Sequence, residues 1–207
     1  MPANSIRTAS PLTPRGEATK LRIVEAAACL IYASGAGRVS LDEVMEASRT
    51  SKSQLYHYFA DKDALVLEVI EFQTRRILRA NAVHFDRLDS LEALRAWRDA
   101  MVAANRAGGG VGGCPIGSLA NELATQSEEA RHRLGESLEA WSGIIGTGLA
   151  RMKEHGRIIP SADTEAISVA VLAALQGGIL LSKAVRNSKP LELAFDMALS
   201  HIERYAA

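Results

Sequence analysis

Residues 40–62 read SLDEVMEASRTSKSQLYHYFADK and predict two short helices joined by a turn. Ser40 is followed three residues later by Glu43, and Ser51 is followed in the same way by Gln54. This is the capping-box spacing, in which two side chains bind the free backbone N–H groups at the start of a helix. The two helices are therefore expected to begin just after Ser40 and Ser51.

The second of these helices has two contrasting faces. Leu55 and Phe59 stand four residues apart, so they share one apolar face. The other face is polar and aromatic, and no acidic residue occurs between Glu46 and Asp61. A short helix with a cationic outer face fits the major groove of DNA, although any helical hairpin with a polar face would show a similar pattern.

The run from residue 50 to residue 65, TSKSQLYHYFADKDAL, resembles the TetR family of bacterial transcriptional regulators. In that family the run closes the recognition helix and begins a long connecting helix. The resemblance implies an all-α protein with a three-helix, helix-turn-helix head and a helical-bundle body that binds a ligand and forms a dimer. The apolar positions that match the family's first helix are Ile23, Ala26, Ala27, Leu30 and Ile31.

The resemblance also implies roles for residues of the head. Four side chains of the second helix are expected at base edges, where Gln can pair with adenine and Lys can donate to guanine. Two more are expected at phosphates, which set the register without reading sequence. If Gln54 caps Ser51, it is less free to read a base. The predicted DNA-binding residues are Ser40, Arg49, Lys52, Ser53, Gln54, Tyr56, His57, Tyr58 and Lys62.

Arg49 departs from the family pattern, because such regulators commonly carry glycine at this position of the turn. Glycine reaches positive φ at little cost, whereas other residues do not. Either the turn of this protein differs, or Arg49 accepts backbone strain and gains a contact with a phosphate.

Composition agrees with a helical fold. The chain has 207 residues, of which 47% are hydrophobic and only six are proline. Its pattern contains no convincing strand. Helices are predicted near residues 17–34, 41–47, 52–58, 62–85, 90–106, 115–125, 127–155, 163–186 and 190–205.

Charge and patterning divide the chain into a head, residues 1–62, and a body, residues 63–207. Residues 1–16 are polar and are predicted to be a flexible arm. The net charge is zero, so DNA binding requires a local cationic patch and a dimer that presents two copies of this patch. The apolar run 166–181 is shorter than the roughly 20 residues of a membrane span, so we expect a cytoplasmic protein.

The sequence does not favour an enzyme, a metal site or a cofactor. Its five histidines show no metal-ligand spacing with each other or with Cys29 and Cys114. Cys29 lies in an apolar helical run and is expected in the core. The glycine-rich run 108–113 lacks the Gly-Lys-Ser/Thr of a phosphate-binding loop and is expected to be a flexible loop or a hinge beside a pocket.

The body resembles a branch of the family that includes repressors of multidrug-efflux and of flavonoid-responsive genes. The resemblance rests on GCPIGSLANEL at 113–123, on Trp141 and on AALQGG at 173–178. It implies a pocket for a small-molecule inducer, although most of these apolar side chains would equally form a core. The predicted ligand-binding residues are Trp97, Met101, Cys114, Ile116, Leu119, Asn121, Leu123, Trp141, Ile145, Leu149 and Gln176.

The last two predicted helices carry small and bulky apolar residues that suit close packing, either within one subunit or between two. The family forms a four-helix dimer interface from such helices. Two heads about 34–36 Å apart would read a palindrome. The predicted dimer residues are Leu172, Ala173, Leu175, Ile179, Leu180, Leu193 and Met197.

Together these patterns predict a homodimeric repressor that binds a palindromic operator in double-stranded DNA and is released by a small apolar or aromatic inducer. Two alternatives remain. The protein could regulate transcription without a ligand, or it could be a ligand-binding protein or enzyme with a degenerate DNA-binding head.

Overall fold

The computed structural model describes residues 12–207. Most of the predicted N-terminal arm therefore lies outside the described residues. The arm was expected to extend to residue 16, but the first helix begins at Pro14. The earlier start follows from Thr13, whose side chain accepts a hydrogen bond from Gly16 N at 3.2 Å, and from the favourable first-turn position of Pro14.

The described part of the chain forms nine α-helices and no strand, apart from an isolated bridge between Ile158 and Ala206. This confirms the all-α prediction, and the helix limits differ from the predicted ones by no more than a few residues. The helices are α1 (Pro14–Ser34), α2 (Leu41–Ser48), α3 (Lys52–Tyr58), α4 (Lys62–Phe85), α5 (Leu91–Ala107), α6 (Pro115–Leu123), α7 (Glu128–Glu154), α8 (Thr164–Val185) and α9 (Lys189–Glu203).

The chain divides into two compact units between Val69 and Ile70. In the N-terminal unit α1 packs against α2 and α3. A shared core contains Ile23, Ala27, Val44, Leu55 and Phe59, each no more than 5% exposed.

Cys29 lies outside this core, and its predicted burial is wrong. The buried stripe of α1 consists of Ile23, Val24, Ala27, Ala28 and Ile31. Because successive residues of a helix are about 100° apart, the position after Ala28 turns away from this stripe.

In the C-terminal unit α8 packs against α7 and α9, α5 against α9, and α6 against α7. Trp97 is fully buried, and its ring makes edge contacts with Phe85 at 5.6 Å and Phe195 at 5.0 Å between ring centroids. Gly178 lets α8 and α9 approach closely, since a Cβ there would lie 2.8 Å from Leu191 Cα. Most of these contacts join consecutive helices, and the packing of α5 against α9 joins parts of the chain that are distant in sequence.

The glycine-rich run connects α5 to α6 and is tightly packed at one point. Gly110 is buried and has a φ of 69°. A Cβ at Gly110 would lie 2.6 Å from the backbone nitrogen of Asn187, which follows α8. Glycine is therefore required there by close packing as well as by its backbone conformation.

One described helix, α8, is long and apolar enough to cross a membrane by length and composition, judged over its most apolar window of 18 residues. The sequence had suggested a shorter apolar run. In this structure 39% of that window is buried inside the protein. Core helices of globular proteins have the same composition, so this is weak support for a membrane span.

Candidate nucleic-acid interface and candidate ligand-binding region

The second predicted capping box positions the candidate recognition helix, α3. Ser51 Oγ accepts from Gln54 N at 3.3 Å, and Gln54 Oε1 accepts from Ser51 N at 2.9 Å. Leu55 and Phe59 anchor the helix in the core. The residues that α3 leaves exposed are Lys52, Ser53, Gln54, Tyr56 and His57, all of them predicted DNA contacts.

The capping box restricts how Gln54 can act. Gln54 Oε1 is directed at Ser51 N, so the two Nε2 donors are the part of this amide that is left unengaged. Paired recognition of adenine needs both the oxygen and the nitrogen of the amide. In this conformation Gln54 is therefore suited to donate to guanine O6 or N7, or to thymine O4.

Aromatic contacts order the rest of this surface. Lys52 Nζ lies 5.9 Å from the centre of the Tyr56 ring, within cation–π range. Tyr58 is half-buried and meets the edge of His57 at 4.9 Å between ring centroids. A Cβ built on Gly16 would lie 3.5 Å from the Tyr58 hydroxyl, which places that hydroxyl beside the first turn of α1.

The turn between α2 and α3 places Arg49 in the left-handed region, with φ 51° and ψ 47°. The turn thus keeps the geometry that suits glycine, and Arg49 carries the strain. Its side chain is exposed. Arg22 Nε donates to Ser48 O at 2.9 Å, and Ser48 and Thr50 hydroxyls share a bond of 2.7 Å, so the surrounding turn is firmly held.

Ser40 and Lys62 already have partners within the unit. Ser40 Oγ accepts from Glu43 N at 3.2 Å and also contacts the Glu43 carboxylate at 2.8 Å. Hydrogen bonds from the Ser40 backbone and hydroxyl lower the pKa of Glu43. Lys62 Nζ donates to Gly37 O at 3.3 Å. Both residues lie at ends of helices. If either contacts a DNA phosphate, that contact competes with the hydrogen bonds described above.

In the C-terminal unit most predicted ligand-binding residues are buried. Asn121 is an exception, because it is exposed on α6 and cannot serve as a buried polar anchor there. Met101 and Gln176 are half-buried. The buried members of the predicted set are Trp97, Cys114, Ile116, Leu119, Leu123, Trp141, Ile145 and Leu149.

The two tryptophans differ in a way that the sequence did not indicate. Trp97 Nε1 donates to Asn81 Oδ1 at 3.1 Å, so its polar atom is satisfied within the core. Trp141 is 4% exposed, and its Nε1 is buried with no hydrogen-bond partner. Gln73 on α4, which the sequence did not single out, is 3% exposed and has an unpartnered Oε1.

Cys114 is the N-cap residue of α6. Its Sγ accepts from Gly117 N and from Gln176 Nε2, each at 3.4 Å. A Cβ on Gly117 would lie 2.6 Å from Gln176 Oε1, so this glycine gives the glutamine room. The three residues fasten the start of α6 to α8, and Gln176 is thereby a structural link.

The predicted dimer residues separate into two groups. Leu172, Leu175 and Ile179 are 7%, 1% and 8% exposed and are buried within the subunit, so they offer little surface to a second copy. The sequence could not separate these groups, because α8 is apolar on nearly all sides. The large apolar side chains that α8 and α9 do expose are Val169, Leu180, Leu181, Val185, Leu193 and Met197.

An open groove of about 320 Å³ lies between α5 and α9 and contains none of the predicted ligand-binding residues. Arg98 bridges it, donating to both carboxylate oxygens of Asp196 at 2.8 and 2.9 Å. Asp196 and then Asp99 raise the pKa of Arg98. Among residues 12–207, no three His, Cys, Asp or Glu side chains are grouped to hold a metal ion.

Comparison with known proteins defines the class. Residues 23–69 match the family described as bacterial regulatory proteins, tetR family, and residues 90–197 match the transcriptional regulator LmrA/YxaF-like C-terminal domain. The chain belongs to the TetR family of transcriptional regulators. It is accordingly a DNA-binding transcriptional regulator and not an enzyme, as the head sequence predicted.

Relatives of similar length support this assignment. An HTH-type regulator from the lacX 3′ region of Lactococcus lactis subsp. lactis is 26% identical, covering 90% of this chain and 94% of its own. HTH-type transcriptional regulator LmrA of Bacillus subtilis (strain 168) is 26% identical, covering 82% and 89%.

Solved structures share the fold. A TetR-family regulator from Cytophaga hutchinsonii has a TM-score of 0.84 and 21% identity, with 96% of this chain and 99% of that chain covered. Regulatory protein TetR from Rhodobacter sphaeroides has a TM-score of 0.78 and 24% identity, with 88% and 98% covered.

Proposed function

We propose that the protein is a homodimeric repressor in the cytoplasm that holds a palindromic operator and is released by a small apolar or aromatic inducer. The observation that carries the proposal is that one chain has both a helix with exposed polar and cationic side chains, α3, and an exposed apolar face on α8 and α9. A single seven-residue helix offers few base contacts, so a second copy is needed for specific binding.

In the head, the exposed side chains of α3 face the bases. Lys52, Ser53, Gln54, Tyr56 and His57 supply donors and acceptors, with Gln54 donating through Nε2. A second set, chiefly at helix ends, contacts phosphates and fixes the register. We assign Ser40, Arg49, Tyr58 and Lys62 to it.

The dimer forms through the outer sides of α8 and α9. We call the exposed residues Val169, Ala173, Leu180, Leu181, Val185, Leu193 and Met197 the α8–α9 face. Leu180, Leu193 and Met197 are 67%, 56% and 64% exposed in the single chain. Exposed apolar side chains of this size on adjacent helices mark an association surface. A second copy presents the same face, so a twofold pairing of α8 and α9 covers both.

Inducer binding in the body weakens DNA binding by favouring a state with the wrong spacing of the two heads. Helix α4 belongs to both units by sequence, since it begins at Lys62 and ends at Phe85, and it is the element through which the ligand acts. Coupling of roughly 1–3 kcal/mol would change operator affinity about 5- to 150-fold. The ligand must bind the DNA-incompetent state more tightly for any release to occur.

Sedimentation and operator binding of Leu180→Glu test the dimer. The charge should disrupt the α8–α9 face, convert dimers to monomers and abolish specific DNA binding while helicity is kept. Val111→Glu is the matched control, because Val111 is also exposed (55%) but lies in the α5–α6 loop. A Leu180→Glu protein that remains dimeric and binds DNA normally would refute the proposed interface.

A further inference from the structure

Three buried side-chain atoms without hydrogen-bond partners lie on α4 and α7, and the third, Arg151 Nε, lies further along α7 than Trp141. Gln73 Oε1 is an acceptor and Trp141 Nε1 is a donor, and both belong to residues at most 4% exposed. An unpaired buried polar group costs on the order of 1–3 kcal/mol, so proteins rarely retain one without a use for it.

A hydrogen bond between the same two helices fixes their register near these atoms. Thr74 Oγ1 donates to Ser137 Oγ at 2.8 Å, and further along both helices Arg151 Nη2 donates to Phe85 O at 3.4 Å. The helices therefore run in the same direction. Gln73 directly precedes Thr74, and Trp141 lies one turn, about 6 Å along the axis, beyond Ser137.

The buried residues of α7 on either side of Trp141 carry no charge. The buried stripe of α7 continues from Leu134 through Ser137 and Trp141 to Ile145 and Leu149. A charged group entering this region would lose its hydration without an ionic partner. A carboxylate could accept a hydrogen bond from Trp141 Nε1 but would repel Gln73 Oε1. An ammonium could donate to Gln73 Oε1 but could not accept from Trp141 Nε1.

A hydroxyl satisfies both atoms, since it accepts one hydrogen bond and donates another. We propose that Gln73 and Trp141 form the polar end of the inducer site and bind the hydroxyl of an uncharged aromatic alcohol or phenol. Trp141 Nε1 donates to the ligand oxygen, and the ligand O–H donates to Gln73 Oε1. This inference rests on the proposed function, in which the body binds an inducer.

Calorimetric titration with two matched pairs of probes tests the proposal: phenol with anisole, and 2-naphthol with 2-methoxynaphthalene. O-methylation keeps the acceptor and removes the donor. The hydroxylated member of each pair should bind at least about 5-fold more tightly to the wild-type protein, because the methyl ether leaves Gln73 Oε1 unpaired. This comparison uses only the wild-type protein, so it does not depend on whether a variant folds.

Two substitutions then separate the two bonds. Gln73→Met should reduce the preference for the hydroxyl to within about 2-fold, whereas Trp141→Phe should weaken both members of a pair about 5-fold and keep their ratio. Gln126→Met is the matched control, since Gln126 is exposed in the turn between α6 and α7, and it should leave the ratio unchanged.

Binding of none of the probes, or equal binding of phenols and their ethers, would overturn the inference. Operator binding measured in the same samples separates this result from the wider proposal. Gln73-dependent binding without operator release would support the site and refute induction through it. Operator release without any preference for the hydroxyl would support induction and overturn the roles of Gln73 and Trp141.

Discussion

Replacing Arg49 with glycine should stabilise the protein while it weakens DNA binding. Arg49 has φ 51° and ψ 47°. The left-handed conformation costs a residue other than glycine roughly 1–2 kcal/mol. Glycine removes this strain but loses roughly 0.5–1 kcal/mol of additional backbone entropy on folding. The net expectation for Arg49→Gly is a gain of about 0.5–1 kcal/mol in the free energy of unfolding.

DNA binding should change in the opposite direction. A cation that contacts a phosphate contributes about 0.9 to the slope of log K against log salt. Because a dimer carries two copies of Arg49, Arg49→Gly should reduce this slope by about 1.8 and lower affinity equally for all sequences. Fluorescence anisotropy with labelled DNA over a series of salt concentrations measures both quantities.

Arg186→Gly is a matched control within the same chain. Arg186 ends α8 with φ 51° and ψ 45°, nearly the conformation of Arg49, but lies in the other unit. It should stabilise by a similar amount and leave the salt dependence of DNA binding unchanged. Urea unfolding at a fixed protein concentration compares the two variants with the wild type. Destabilisation by Arg49→Gly would refute the strain argument, and an unchanged salt slope would refute the phosphate contact.

Further predictions concern reading, packing and acid sensitivity. Gln54→Ala should relax preference at one base pair by about 1–3 kcal/mol, whereas Lys62→Ala should weaken all sequences alike; identical behaviour in a binding-site selection would contradict these separate roles. Gly110→Ala should destabilise by roughly 2 kcal/mol or more in urea unfolding because its Cβ meets the α8–α9 loop, whereas Gly109→Ala should cost only about 1 kcal/mol for its positive φ. The pKa of Glu43 lies below its ordinary 4.5, so its stabilisation is present above pH 4.5 and lost as pH falls through the lowered pKa. Glu43→Gln should remove this part of the acid dependence. Acid unfolding at the same pH in the variant and the wild type would exclude a contribution from Glu43.

Helices and their starting points were predictable because they depend on local signals. Ser40 and Ser51 both act as N-cap residues, as their spacing indicated. The outer face of α3 followed from Leu55 and Phe59, since two buried positions orient a helix of two turns. Such interactions span three or four residues and are therefore visible in the sequence.

Features that depend on distant packing were not predictable. Leu175 and Leu180 look alike in an apolar helix, but within the packed C-terminal unit the first is buried and the second is exposed. Trp97 and Trp141 also look equivalent, and only the neighbouring helices decide which indole N–H finds a partner. Gln73 carried no signal at all, because a glutamine on a long helix is usually at the surface.

The central claim is sequence-specific DNA binding by a dimer, and selection of genomic DNA fragments by the purified protein tests it most directly. The selection should be done at about 150 mM salt, where nonspecific charge contacts are weakened. The account predicts enrichment of one palindrome with half-sites about 10 base pairs apart, and loss of that enrichment for Leu180→Glu. A folded, dimeric protein that enriches no sequence, or a monomer that enriches a single half-site equally well, would contradict it.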